Sequence, residues 1–503
     1  MSTVWTFLWP NTVRSSRTKW MPFSVLHLQK ASNWTWAPPP TERGVRPVAS
    51  RPRPKKKRTY AQMQTRQQRA SAEKSEHRPG AGRERKLQKR EALPPILIAA
   101  LDVLARFRAT QEPIQNIINP ILKNRRFGNR DRNEIRDWVF QLQRQQSTLE
   151  KLLEQQVNAV GGVPPDRRMK DLALLLATMS AEMKATFETK TEDLLPESLL
   201  SFVQTARDEI QLEGLPPWLF EKLQNQFGDQ AKDIEKAFLQ KAVPAFAIDT
   251  QQADRQGIMK ILEEAAIEVR PFSACPDAFW SAQHLPLSRL PVEVAQHVWP
   301  MDLGSQLIAH LVGALPSDQV LDMCAGGGGK TKALARTGCK LVATDVSNKR
   351  IIAAQKRSGL QHISFRCLDM TKPQLAEGMF DRILVDAPCT GTGTLRRHPD
   401  LLSRLNSEKV TEYVALQKQL LQQAERLVAP NGYVIYATCS FLKEENQDVV
   451  SWALENLNLS PVPLNELRPE GVLPEHQLEQ HTLNILPHDF LSDGFFVAAF
   501  SKQ

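Results

Sequence analysis

The chain has 503 residues, 41% hydrophobic and 24% charged, an ordinary balance for a globular protein with room for two or three cores. Its longest apolar runs fall well short of the roughly 18 residues a membrane-spanning helix needs, so an integral helical membrane protein is excluded. The net charge of +10 is confined to one end: residues 1–90 hold 21 Lys and Arg against 4 Asp and Glu, and the remainder carries −7, so the folded body has no overall basic excess with which to attract nucleic acid.

Residues 1–91 are Pro-rich or densely basic ("APPP", "RPRPKKKR", "HRPGAGRERKLQKRE") without sustained periodicity, and they read as a disordered tail. The first 41 residues lack any acid, which is compatible with an organelle transit peptide. "PKKKR" reads equally as a nuclear signal or an RNA-gripping arm, and an unselected tail explains both. The five tryptophans among the first 36 residues suit none of these readings.

From Leu93 the pattern turns helical. "PILIAALDVLARF" is dense enough for a core helix, and Ile135, Trp138, Val139 and Leu142 recur at helical spacing behind a candidate N-cap, Asn129. "DLALLLATMSAEM" supplies a further helix, so 92–212 is expected to be an all-α domain. Arg125, Arg126, Arg130, Arg132 and Arg136 cluster at one of its turns, as a solvated face or an RNA contact. "GLPPWLFEKL" opens the next segment, where "AFAIDT", "QGIMKILEEA" and "IEVRPF" spell strand, helix, strand: a small α+β module over 213–300.

Over 301–503 strands and helices alternate through "QVLDMCAG", "KLVATDVS", "ISFRCLDM", "FDRILVDAP" and "GYVIYATCS". This is the pattern of a doubly wound, mostly parallel α/β sheet, which binds ligands at the C-terminal ends of its strands. The loop "CAGGGGKT" fails as a P-loop because Cys324 stands where its first glycine belongs. It suits a Rossmann-like site for S-adenosylmethionine: Gly326, Gly327, Gly328 and Gly329 let backbone approach the ligand, Asp345 is placed for ribose hydroxyls, and Asp369 for an adenine amino group. With Asp386, three successive strand ends carry an acid.

Two strand-like runs each deliver a cysteine at the C-terminal end, Cys389 in "DAPC" and Cys439 in "ATCS". Six cysteines without a C-x-x-C pair argue against a disulfide framework or structural zinc. Thiols beside a methyl-donor site have a specific use: carbon 5 of a pyrimidine is too weakly nucleophilic to take a sulfonium methyl until a thiolate adds at carbon 6. A carboxyl near ring nitrogen 3 stabilises the charge that develops there. Spacing does not say which cysteine attacks.

"CAGGGGK", "DAPCTGTGTLRRHPDL" and "ATCSFLKEEN" resemble the motifs of the Sun-type RNA 5-methylcytosine methyltransferases, and the closing "DGFFVAAF" resembles that family's last strand. The helical region, with "RFGNRDRNEIRDWVF", is similar to the NusB-like RNA-binding domain of the RsmB branch, which acts on small-subunit rRNA. The resemblance covers 92–503. It implies a Rossmann-like doubly wound methyltransferase sheet preceded by an all-α NusB-like domain and a small α+β module. It implies Cys439 as the nucleophile, Cys389 as the residue assisting product release, and Asp386 at the base. It further implies Cys324, Ala325, the four glycines, Lys330, Asp345, Asp369 and Asp386 around the cofactor, with Lys330 also close to the reacting groups. Arg396, Arg397 and His398 would meet RNA backbone. The chain departs from the family at Gly327, where a proline is usual, in "WPMDLGSQ", and in lacking Arg-x-Asn on the "AFAIDT" strand. The expectation is a monomeric, cytoplasmic RNA cytosine-5 methyltransferase that uses S-adenosylmethionine and neither metal nor membrane, with organelle targeting left open by the tail. Its alternatives are a tRNA substrate and a non-catalytic RNA-binding assembly factor.

Overall fold

The computed structural model describes residues 93–503 apart from 124–125, 161–164, 180–186, 188–194, 210–213, 361, 468–472 and 474. The chain divides into units 1–79 and 80–503, and the described residues all belong to the second. The basic tail and Arg125 lie outside the described residues. Among those described, no helix is long and apolar enough to cross a membrane.

The first described region is helical: α1 (Pro95–Thr110), α2 (Ile114–Leu122), α3 (Asn129–Val160), α4 (Arg167–Thr178) and α5 (Glu197–Glu209). Proline starts α1, where its missing N–H costs nothing, and Asp166 caps α4 by accepting the Met169 N–H at 2.9 Å. The apolar stripes meet in one core: Leu97, Leu101 and Leu104 of α1 join Ile135 and Val139 of α3, Leu172 and Leu175 of α4, and Leu199 and Phe202 of α5. Asn129 is the first residue of α3 rather than its cap, and Gly128 N–H is satisfied by Asp131 Oδ2 at 2.9 Å.

Two helices, α6 (Pro217–Phe227) and α7 (Ala231–Leu239), lead into a four-stranded antiparallel sheet ordered β2-β3-β1-β4. Its strands are β1 (Ala245–Ile248), β2 (Arg270–Pro271), β3 (Ala278–Trp280) and β4 (Val298–Pro300), accompanied by α8 (Arg255–Glu264) and α9 (Val292–Ala295). The "IEVRPF" run contributes only two residues of strand, both exposed at the sheet edge.

The third region opens with α10 (Leu303–Leu311), β5 (Gln319–Asp322), α11 (Gly329–Ala335), β6 (Lys340–Asp345), α12 (Asn348–Ser358) and β7 (Ser364–Cys367). It continues with β8 (Phe380–Asp386), α13 (Ser407–Leu427), β9 (Val428–Thr438), α14 (Gln447–Asn456), β10 (Leu459–Pro461), β11 (Thr482–Ile485) and β12 (Phe495–Lys502). The sheet runs β10-β12-β9-β8-β5-β6-β7 with β11 on β12. β7, β6, β5, β8 and β9 are parallel, and β12 inserts antiparallel against β9. Ile383, Leu384 and Val385 are fully buried, as expected of a central parallel strand covered on both faces. The strand order reverses between β5 and β8, so the loops after them diverge and leave a crevice at their C-terminal ends.

The antiparallel module is pinned to this sheet domain by a buried ionic cluster. Asp277 pairs with Arg336 just past α11 and lies 2.7 Å from His310 Nε2 on α10. The Cys275 thiol donates to Asp277 Oδ1 at 3.1 Å, and Arg336 Nη1 donates to the Ile248 carbonyl at 2.6 Å. Among the described residues, Cys275, Asp277 and His310 form the one group whose ligand atoms could hold a metal ion, but Arg336 already supplies the positive charge there. Burial lowers the His310 pKa to about 4, so the imidazole stays neutral. Asp277→Ala leaves the Arg336 charge buried without its partner and is expected to cost about 3 kcal/mol. Urea unfolding measures this; an unchanged midpoint would show that the cluster does not bear on stability.

Candidate active site

Every strand end at the crevice contributes a functional group. The β5 end leads through Asp322 and Cys324 into the glycine loop. Gly328 adopts φ +77°, which a side chain strongly disfavours, and a Cβ there would stand 2.7 Å from Ala354 Cβ. It serves as the N-cap of α11. A Cβ at Gly329 would meet nothing within 4 Å, and one at Gly326 would meet only the Cys324 carbonyl at 3.8 Å. The loop therefore presents bare backbone to open space. Gly327, where the family carries proline, leaves room for the Arg357 guanidinium, whose nitrogens lie 3.2 Å from the position its Cβ would take.

The acids surround this loop in different ways. Asp345 closes β6 and braces the loop: its Oδ2 accepts the Gly326 N–H at 3.1 Å, and its Oδ1 accepts the Ser347 N–H at 2.7 Å. Asp369 lies two residues beyond the end of β7, and the Thr371 hydroxyl and N–H hold its pKa down. Asp386 closes β8 and takes a charge-assisted hydrogen bond from Lys330 Nζ at 2.8 Å. Burial opposes the Lys330 charge, but Asp386 and Cys439 outweigh it and raise the ammonium pKa.

Strand pairing brings the two cysteines together. Asp386 stands opposite Ala437 in the β8–β9 ladder, so the residues beyond both ends leave side by side. Cys389 Sγ and Cys439 Sγ are 3.3 Å apart, each partly buried. The Cys389 thiol is pushed well above its ordinary pKa by its hydrogen bond with Cys439, by burial, and by the charges of Cys439 and Glu445. The Cys439 loop is anchored on both sides. Phe441 packs on Phe238 of α7 with ring centroids 5.3 Å apart, and Gly393 N–H donates to the Cys439 carbonyl at 2.9 Å. A Cβ at Gly393 would stand 1.9 Å from the Gly494 carbonyl oxygen, so only glycine fits this crossing.

The three residues expected at RNA are placed otherwise. Arg396 is buried, and its guanidinium donates to the carbonyls of Ser492 at 3.0 Å and Lys241 at 3.2 Å. Arg397 is clamped between Asp302 at 2.7 Å and Asp493 at 2.8 Å. Burial lowers the His398 pKa and so disfavours the charged ring. A loop crossing between two packed regions had to satisfy internal carboxylates and carbonyls first, and the Arg396 and Arg397 side chains do that. Asp302, from the "WPMDLGSQ" segment, also caps α10 by accepting the Gly304 N–H at 2.8 Å.

Sequence reading overlooked Asp322 and Glu445. Asp322 closes β5 as its counterparts close β6 and β8, so the same strand-end signal was present. It is fully buried, accepts the Thr331 hydroxyl at 2.6 Å, and is pushed up to about 7, chiefly by burial. Glu445 sits in "KEEN", which reads as a solvated charge run, yet it too is fully buried.

Comparison with known proteins gives the same outline. Residues 310–501 match the family model for the 16S rRNA methyltransferase RsmB/F, and residues 215–287 match that for the RsmF/B-like ferredoxin-like domain. Ribosomal RNA small subunit methyltransferase B of Xylella fastidiosa (strain 9a5c) is 33% identical over 263 residues, covering 49% of this chain and 62% of the relative. The protein of the same name from Vibrio cholerae is 30% identical over 298 residues, covering 58% and 66%. The chain thus spans just under two thirds of the length of these relatives. The crystal structure of PH0851 superposes with a TM-score of 0.63 at 23% identity, over 82% of this chain and 99% of that one, and so shares its fold.

The raised Asp322 pKa has a thermodynamic sign. Between roughly pH 4 and 7 the folded state holds a proton that the unfolded chain releases, so stability from this group is greatest below pH 4 and declines as pH rises through 7. Asp322→Asn lacks this decline, and its melting temperature is expected to gain on the wild type between pH 5 and 8. Parallel pH dependences in thermal melts would contradict the assignment.

Proposed function

We propose that this chain, which belongs to the RsmB/F methyltransferase family through residues 310–501 and their ferredoxin-like neighbour 215–287, transfers a methyl group from S-adenosylmethionine to carbon 5 of a cytosine in small-subunit rRNA through a covalent cysteine adduct. The observation that carries the reading is the pair of thiols 3.3 Å apart at one end of a cofactor-type crevice. Neither a nucleotide hydrolase nor a purely structural RNA-binding protein needs that pair.

The open backbone at Gly326 and Gly329 fits a ligand that must approach closely without a pyrophosphate to cradle. Cys324, Ala325, the glycines, Asp345 and Asp369 would hold S-adenosylmethionine there. Its sulfonium supplies an electrophilic methyl group.

Cys439 is the nucleophile. Its partner Cys389 keeps its proton, held there by the bond to Cys439, by burial and by neighbouring anions. The Lys330 ammonium, in contrast, lies within electrostatic reach of Cys439. The Cys439 thiolate adds to carbon 6 of cytosine, and the electron pair of the 5,6 double bond becomes available at carbon 5 for methyl transfer. Asp386, oriented by Lys330, meets the ring at nitrogen 3; as that nitrogen takes up a proton from solvent during the addition, the carboxylate accepts a hydrogen bond from the resulting N–H. A solvent base then removes the carbon-5 proton, the double bond re-forms, and the bond from carbon 6 to sulfur breaks. Cys389, with its S–H beside the departing sulfur, stabilises the leaving thiolate.

Covalent trapping on a small-subunit rRNA transcript containing 5-fluorocytidine, with S-adenosylmethionine present, tests the reading. Wild type and Cys389→Ala are expected to give an adduct that survives denaturation, and Cys439→Ala none. Trapping by Cys439→Ala would reverse the two roles, and trapping on tRNA alone would change the substrate. Absence of any adduct would sink the proposal. Independently, S-adenosylmethionine at about a hundredfold over its dissociation constant should stabilise the chain by about 2.7 kcal/mol, read as a rise in melting temperature that ATP with magnesium does not reproduce.

A further inference from the structure

Glu445 is a fully buried carboxylate for which, among the described residues, no Lys, Arg or His forms an ion pair. Its donors are neutral: the Thr390 N–H at 2.9 Å and hydroxyl at 2.5 Å, and Gln417 Nε2 at 3.1 Å. The same Gln417 nitrogen donates to the Pro388 carbonyl at 3.0 Å. The two residues that flank Cys389 are therefore both held, Thr390 by Glu445 and Pro388 by the glutamine bound to it. Glu445 is itself fixed from β9. The Tyr436 hydroxyl donates to its main-chain carbonyl at 2.6 Å, and its neighbour Asn446 accepts from the Thr438 hydroxyl at 2.6 Å and donates to the Ser440 carbonyl at 2.9 Å. Burial pushes the Glu445 pKa up against the hydrogen bonds from Ser440, Thr390 and Gln417 that favour the charged form, so an anion held here is costly to maintain. Its placement one residue from a thiol that must keep its proton gives that cost a use.

We infer that Glu445 is a positioning residue for product release, its carboxylate seating the Pro388–Thr390 turn so that Cys389 presents a protonated sulfur to the Cys439 sulfur. This deepens the proposed function and rests on it. The groups that face Cys389 support the assignment. Cys439 at the end of β9, Glu445, Tyr413 of α13 and Tyr436 of β9 are neutral or anionic, and burial and nearby anions push both tyrosines up. The cations of the region are Lys330, which pairs with Asp386, and Arg404, which pairs with Asp400. Glu445 and Cys439 both act to raise the Cys389 pKa. In release, the carbon-5 proton passes to a solvent base and the electrons of the carbon-6–sulfur bond leave with Cys439. The Cys389 S–H donates a hydrogen bond to that sulfur and no net proton changes place between the thiols.

The test uses the full chain and two readouts. Glu445→Gln keeps the shape and removes the charge, and Glu445→Asp keeps the charge. Peptide-resolved iodoacetamide labelling against pH should show Cys389 becoming reactive at least one pH unit lower in Glu445→Gln than in wild type, with Glu445→Asp restoring the wild-type curve. On unmodified rRNA transcript, Glu445→Gln should form the adduct within threefold of the wild-type rate but release it at least tenfold more slowly. An unchanged Cys389 labelling curve overturns the inference even where adducts form. Absence of adduct in every protein, wild type included, overturns the methyl-transfer reading and the release role with it, while a labelling shift would still establish that Glu445 acts on Cys389 protonation. Should Glu445→Gln fail to fold, Thr390→Ala removes one bridge and leaves the charge. It should slow release at least threefold with adduct formation unchanged, and unaltered partitioning between the two steps overturns the inference.

Discussion

The parallel pairing of β8 with β9, Asp386 opposite Ala437, is the constraint on which the site depends. Both strands are buried on both faces, so a slip of one residue would turn every side chain toward the wrong layer, and the register is correspondingly firm. With the ladder set, the residues beyond it have little choice. Cys389 and Cys439 leave adjacent strands at the same level, and their sulfurs meet without any loop having to search for the arrangement.

A second layer of constraint converts proximity into difference. The two thiols are equivalent by position, yet their surroundings are not. Lys330, held by Asp386, lies toward Cys439, whereas Cys389 is backed by Glu445 and, among the described residues, has no cation of its own. Electrostatic asymmetry of this kind sorts acid from nucleophile in a low-dielectric site. It is created by residues on three separate segments, none of which is adjacent in sequence to the cysteine it acts upon.

The sheet, its switch point and the strand-end positions of Asp345, Asp386 and both cysteines were legible because apolar runs of strand length alternate with helical periodicity over 319–502, and glycine marks the loop. Family resemblance, rather than spacing, distinguished the two thiols. What escaped was governed by burial, which a linear pattern does not display. "TLRRH" reads as a basic exposed loop, but Arg396 lies under the surface because the segment is covered by α3 and by the Ser492–Gly494 turn. "KEEN" reads as solvated charge, but Glu445 faces inward because the chain bends into α14 immediately after it. Asp322 carries the same strand-end signal as Asp345 and Asp386, but its complete burial is not visible in "LDMC".

The segment that holds Arg396 is also where the helical region meets the sheet domain. Arg144 of α3 donates to the Arg396 carbonyl at 2.9 Å, and the Ile114 N–H at the start of α2 donates to Asp400 at 3.3 Å. Residues 396–400 are thus a shared wall, with one side finished by the helices and the other by the sheet. Boundaries drawn from sequence pattern at such a wall divide the chain by composition but not by cooperativity. Cutting there would expose half-satisfied backbone on both pieces, and the units that unfold together need not be the units that a motif scan would separate.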